Sequence, residues 1–240
     1  MPEFTKELDA LARGLEASLG ADLVSLLLYG SAARGAHVEG RSDVNLLLIV
    51  KDASPATLRR AAGPLAAWAR AGRRPPLIHS EAEWRDAADV FPMEMDDIRD
   101  AHRLLAGRDP TIGIVTRPAD TRRELERETR GVLSRVRAIY AAVGAEGASL
   151  EELLQNSLGT VLVLFRAAVR LSGRPVDADP RRLVSEAAAV CGFDADAMEW
   201  VLAARGGMPP RRLDAFDEAA AKYLAALERF AVWVNNHQEE

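Results

Sequence analysis

The sequence predicts an α+β protein: a small β-sheet domain covered by helices, followed by an all-α helical bundle domain. Three observations carry this. Two short apolar runs, residues 23–29 and 44–50, flank a link rich in glycine and small residues. Apolar residues at helical spacing precede and follow that pair. From residue 121 onward the pattern is helical throughout, with no convincing strand.

Each element follows in order. Leu8, Leu11, Leu15 and Leu19 recur at spacings of three and four, so Thr5–Leu19 reads as an amphipathic helix ended by Gly20. Leu23–Tyr29 is a continuous apolar run stopped by Gly30, the pattern of a buried strand, and residues 44–50 form a second of the same kind. Between them, residues 30–41 read as a turn with room for one helical turn. Residues 56–70 are helical, with a kink or break expected at Gly63-Pro64. Pro75-Pro76 introduces a short strand at Leu77–Ser80. Ser80 with Glu83 has the capping-box spacing for a helix over 81–88. A further short strand is expected at 91–95, then a helix over 97–106 stopped by Gly107.

The punctuation at Pro110 and Pro118 places the domain boundary there, giving domains of residues 1–112 and 118–240. Helices are expected over 121–143, 149–171, 181–191, 194–204 and 211–236, a bundle with short connections.

Composition narrows the function classes. With 48% hydrophobic and 28% charged residues, the 240-residue chain can fill a core, which excludes global disorder. A net charge of -5 and a pI near 5.5 argue against a nucleic-acid surface along the chain. The single cysteine, Cys191, cannot form an internal disulfide and follows an apolar run, so a buried core thiol and a cytoplasmic location are expected. The first twenty residues lack the apolar core of a signal peptide, and no apolar stretch is long enough to span a bilayer, so no membrane partner is expected.

The chemistry concentrates between residues 30 and 45. Gly30 has no side chain to hold a phosphate away from the backbone. Ser31 offers a hydroxyl and an amide at the start of a turn, where free amides favour an anion. Ser42-Asp43-Val44-Asn45 then enters the second apolar run. Strand alternation puts Asp43 and Asn45 on one face, and two oxygen-bearing side chains two residues apart can reach one small cation. Arg34 and Arg41 flank the loop and are candidates to neutralise phosphate charge.

Residues 28–50 resemble the signature of the DNA-polymerase-β-like nucleotidyltransferase superfamily: a Gly-Ser pair, a spacer of about ten residues, then Asp-x-Asp or Asp-x-Glu entering an apolar strand. The helical second half resembles the kanamycin nucleotidyltransferase plan. The resemblance implies a small mixed β-sheet domain, transfer of a nucleoside monophosphate from an NTP to a hydroxyl of a small molecule or protein, and Mg2+ as cofactor. It implies that Gly30 and Ser31 hold phosphates and that Asp43 is a catalytic metal ligand. Asn45 stands at the second acidic position and departs from the pattern: an amide oxygen can coordinate but brings no charge, so a weaker metal site is expected. The third carboxylate is sought on a neighbouring strand. Leu77–Ser80 holds His79 and no acid, whereas residues 91–96 hold Glu94 and Asp96 on one strand face, and Glu94 is favoured as metal ligand or base. The runner-up reading is a catalytically weakened nucleotide-binding or regulatory protein, with an antitoxin-like role as one form of it. The Arg-then-His spacing of helical toxin nucleases has no convincing copy in the bundle.

Overall fold

The computed structural model describes residues 4–35, 44–205 and 212–237. The chain forms two compact units, Met1–Thr116 and Arg117–Glu240. The fold is α+β: a mixed sheet with its helices in the first unit and, among the described residues, helices alone in the second.

The sheet has strand order β3-β2-β1-β4, built from β1 (Leu23–Tyr29), β2 (Asn45–Val50), β3 (Leu77–Ser80) and β4 (His102–Gly107). β1 lies antiparallel to both β2 and β4; β3 lies parallel to β2. The register aligns Tyr29 with Asn45 on one side and with His102 on the other.

Alternation sorts the strand residues onto two faces. Leu26, Leu28, Leu46, Leu48 and Val50 pack with α1 (Thr5–Leu19), through Leu8, Leu11 and Leu15, and with α2 (Pro55–Arg70), through Ala61 and Trp68. Leu27, Leu47 and Ile49 face the other way. They pack with Trp84 of α3 (Glu81–Asp86) and with Met95 and Ile98 of α4 (Pro92–Asp100). Strands apolar on both faces are what a covered sheet requires.

α2 does not break at Gly63-Pro64: Pro64 lies inside a continuous helix. Its ring sits against Gly14 of α1, where an added Cβ would come within 3.0 Å of the Pro64 Cγ. Packing against α1 offsets the lost backbone bond. The Ser80–Glu83 capping box is formed: Ser80 Oγ accepts from the Glu83 amide at 3.2 Å, and Glu83 Oε2 accepts from the Ser80 amide at 2.7 Å.

Two expected elements are different. Residues 91–95 are not a strand; Pro92 opens α4, and proline, lacking an N–H, is well suited to the first helical position. The helix expected over 97–106 ends at Asp100, and His102–Gly107 is the edge strand β4. Gly107 closes that strand rather than a helix. Its φ is +78°, and a Cβ there would lie 2.2 Å from the Val24 carbonyl oxygen.

The second unit comprises α5 (Pro118–Val143), α6 (Gly147–Leu171), α7 (Pro180–Cys191), α8 (Asp196–Arg205) and α9 (Glu218–Asn236). Its core centres on Phe165, stacked on Phe193 at 5.1 Å and edge-on to Phe230 at 5.0 Å. Tyr223 is fully buried, with its hydroxyl 2.9 Å from the Ser157 hydroxyl, so this aromatic is packing. α9 starts later than expected, because Asp217 caps it by accepting from the Ala219 amide at 2.9 Å. Cys191 is buried, and burial pushes its thiol up to about 12. Among the described residues no helix is long and apolar enough to cross a membrane.

Candidate functional site

The site is built where β1 ends. Gly30 takes φ +75°, in the left-handed region that favours glycine. A Cβ at this position would lie 3.0 Å from Asn45 Nδ2, so the missing side chain also lets the amide of Asn45 approach the turn. The Arg34 amide donates to the Gly30 carbonyl at 3.2 Å, and the Gly35 amide to the Ala32 carbonyl at 3.4 Å. These two bonds make residues 30–35 a tight hydrogen-bonded turn.

Asn45 shares a sheet face with Leu47 and Ile49, the face that α4 covers. Its register partner Tyr29 donates its phenol hydrogen to Glu94 Oε1 at 2.9 Å. Glu94, in the first turn of α4, is thereby held at the same end of the sheet as Asn45 and Gly30. Burial pushes the Tyr29 phenol up, and the charge of Glu94 and its hydrogen bond push further in the same direction. One helical turn beyond Glu94, Asp97 meets Arg34. The guanidinium donates to the Asp97 carbonyl at 3.0 Å and lies 3.2 Å from its carboxylate, with side chains 8% and 11% exposed. Arg34, read in the sequence as a phosphate neutraliser, is thus turned inward onto α4, its charge already matched by an aspartate.

Glu94 and Asp96 do not share a strand face. On a helix the two residues sit about 200° apart, and Asp96 is buried, bonded to Thr116 Oγ1 at 2.6 Å and to Arg99. β3, the parallel neighbour of β2, carries no acid. Leu77 aligns with Leu47, and His79 aligns with Ile49, away from the Asn45 end, with its ring 5.9 Å from that of Trp84. His102 is held by the Ile98 carbonyl, 2.8 Å from Nδ1, and by Asp109 Oδ2, 3.3 Å from Nε2. Arg41 and Asp43 lie outside the described residues. Among the described residues no group of three or more His, Cys, Asp or Glu could hold a metal ion.

Sequence reasoning missed the Tyr29–Glu94 bond and the Arg34–Asp97 pair. An aromatic hydroxyl as the last residue before Gly-Ser is the one signal that pointed to the first. The second joins residues 63 positions apart and leaves no local trace.

The mixed sheet unit followed by a helical unit is an arrangement shared with a solved nucleotidyltransferase structure. The solved structure of spectinomycin adenyltransferase AAD(9) from Enterococcus faecialis, with ATP and spectinomycin, matches at a TM-score of 0.58. The match covers 94% of this chain and 98% of that one at 12% sequence identity, a level that carries the fold alone. No protein-family model matches the chain, and no curated protein matches it in sequence.

Proposed function

We propose that the chain binds a nucleoside triphosphate at the turn after β1 and transfers its nucleoside monophosphate to a hydroxyl of a small molecule. The observation that carries this reading is the Tyr29–Glu94 bond: it holds a carboxylate at the Asn45 end of the sheet, although among the described residues no strand carries one. A fold neighbour solved with ATP and a small-molecule ligand supports the same class of chemistry.

In this reading the amides from Ser31 onward receive the phosphates. Magnesium takes one or two carboxylates plus substrate phosphate oxygens. Asp43 with the amide oxygen of Asn45 is such a set, although a sparse one. When bound, the ion supplies neutralisation of phosphate charge. Glu94 accepts the proton of the acceptor hydroxyl. The acceptor oxygen bonds to the α-phosphorus, the bond from that phosphorus to the β-phosphate oxygen breaks, and pyrophosphate leaves. The protein's contribution is positioning and charge stabilisation.

A second reading rests on two specific observations, Asn45 in place of an acid and a β3 without one. It is nucleotide binding without transfer, in a regulatory or antitoxin-like role. One experiment separates the two. The protein is incubated with labelled ATP, GTP, CTP and UTP, with magnesium or manganese and a panel of hydroxylated acceptors, and pyrophosphate is measured. Release supports transfer. Binding without release, reversed by Asn45→Asp, identifies a lapsed enzyme.

A further inference from the structure

We propose that Tyr29 is a positioning residue that fixes which oxygen of Glu94 meets the substrate. This rests on the transfer reading above. A glutamate side chain has three rotatable bonds and loses its aim easily when unrestrained. Here two links to β1 and its turn constrain it. Tyr29 donates to Oε1 at 2.9 Å, committing that oxygen and leaving Oε2 as the proton acceptor. Arg34 grips Asp97, three residues further along the same face of α4, with both side chains nearly buried. The helix is thus tied to the strand end at Glu94 and to the turn at Asp97. Tyr29 is a rigid lever for this task. It sits in the last position of β1, is flanked in register by Asn45 and His102, and packs against the buried face formed by Leu27, Leu47 and Met95. Burial and the neighbouring Glu94 push the phenol above its ordinary value, so it stays a donor around neutral pH.

The proton therefore moves from the acceptor hydroxyl to Oε2 of Glu94, while the Tyr29 proton stays on the phenol oxygen. Tyr29 touches no substrate atom and acts only through Glu94.

The test is a double-mutant cycle on pyrophosphate release by the full chain, using Tyr29→Phe, Glu94→Gln and the double variant. Phenylalanine keeps the ring, and a thermal melt checks that each variant is folded. Tyr29→Phe should lower kcat about tenfold to a hundredfold, the cost of a misplaced reacting group, with the NTP KM changed less than about twofold. Glu94→Gln should cost about a thousandfold, in the range of lost general-base catalysis. Adding Tyr29→Phe to Glu94→Gln should cost nothing more. A purely structural role for the phenol would give additive losses, and that result, or an unchanged kcat in Tyr29→Phe, overturns the inference while transfer stands. A folded wild type that binds NTP but releases no pyrophosphate, even with Asn45→Asp, overturns the transfer reading and this inference together.

Discussion

The two units differ in where they place their polar side chains. In the helical unit, polar groups are distributed over several helices: caps, surface ion pairs, the Ser157–Tyr223 hydroxyl pair, and a buried Asp120 held by Arg117 and Arg123; aromatic packing around Phe165 fills the interior. In the sheet unit, polar groups crowd one end of the sheet, where Tyr29, Asn45, Glu94 and the Arg34–Asp97 pair surround a glycine turn. Polar groups so placed cost stability unless each is matched. Their concentration at one turn, in a unit that already has two apolar sheet faces, sets this end of the sheet apart and is why the proposed chemistry is placed there.

Substitutions that break or sharpen this contrast run from large to small. Phe165→Ala should destabilise the helical unit by about 3–5 kcal/mol, as cavity-forming losses of buried phenylalanine do. Thermal unfolding would read the loss, and NTP affinity in the folded protein should hold. Arg34→Ala should cost about 3 kcal/mol by leaving Asp97 nearly buried without its cation. Unlike the first variant it should also weaken NTP binding, because the turn loses its anchor to α4; equilibrium titration with a fluorescent nucleotide checks this. Ser80→Ala should remove half of the capping box for about 1 kcal/mol, seen in denaturant melts, with no change at the site.

The smallest effect concerns pH. Burial alone would raise the Asp109 carboxyl, but the amide and hydroxyl of Thr111 and the nearby His102 outweigh it and hold the group below the usual carboxylate range. A depressed carboxylate contributes stability that is present above its unfolded value of about 3.9 and is lost as pH falls toward the folded value. Asp109→Asn should flatten that acid-side loss in melts taken across about pH 5 to 2.

How much of this was legible follows from where the signals lie. α1, β1 and β3 match the sequence reading residue for residue, because leucine spacing, an unbroken apolar run and a proline pair are local signals. The Ser80–Glu83 box was legible for the same reason. The misses cluster in residues 91–107. Leu104-Leu105-Ala106 is too short for periodicity to distinguish helix from strand, and β1 decides the matter by pairing with it. Phe91-Pro92 was read as part of a strand although proline at that point starts a helix. Glu94 was named on strand alternation, whereas it reaches the sheet from α4. The bonds that give it a neighbourhood, Tyr29–Glu94 and Arg34–Asp97, span more than sixty residues and exist only once the sheet has formed.

The most direct measurement is a crystal structure of the protein soaked with a non-hydrolysable nucleoside triphosphate and magnesium. The account predicts triphosphate oxygens against the amides that follow Gly30, with Glu94 still bonded to Tyr29 and its second oxygen open toward the α-phosphate. A triphosphate bound elsewhere on the chain, or a Glu94 turned away from it, would contradict the account.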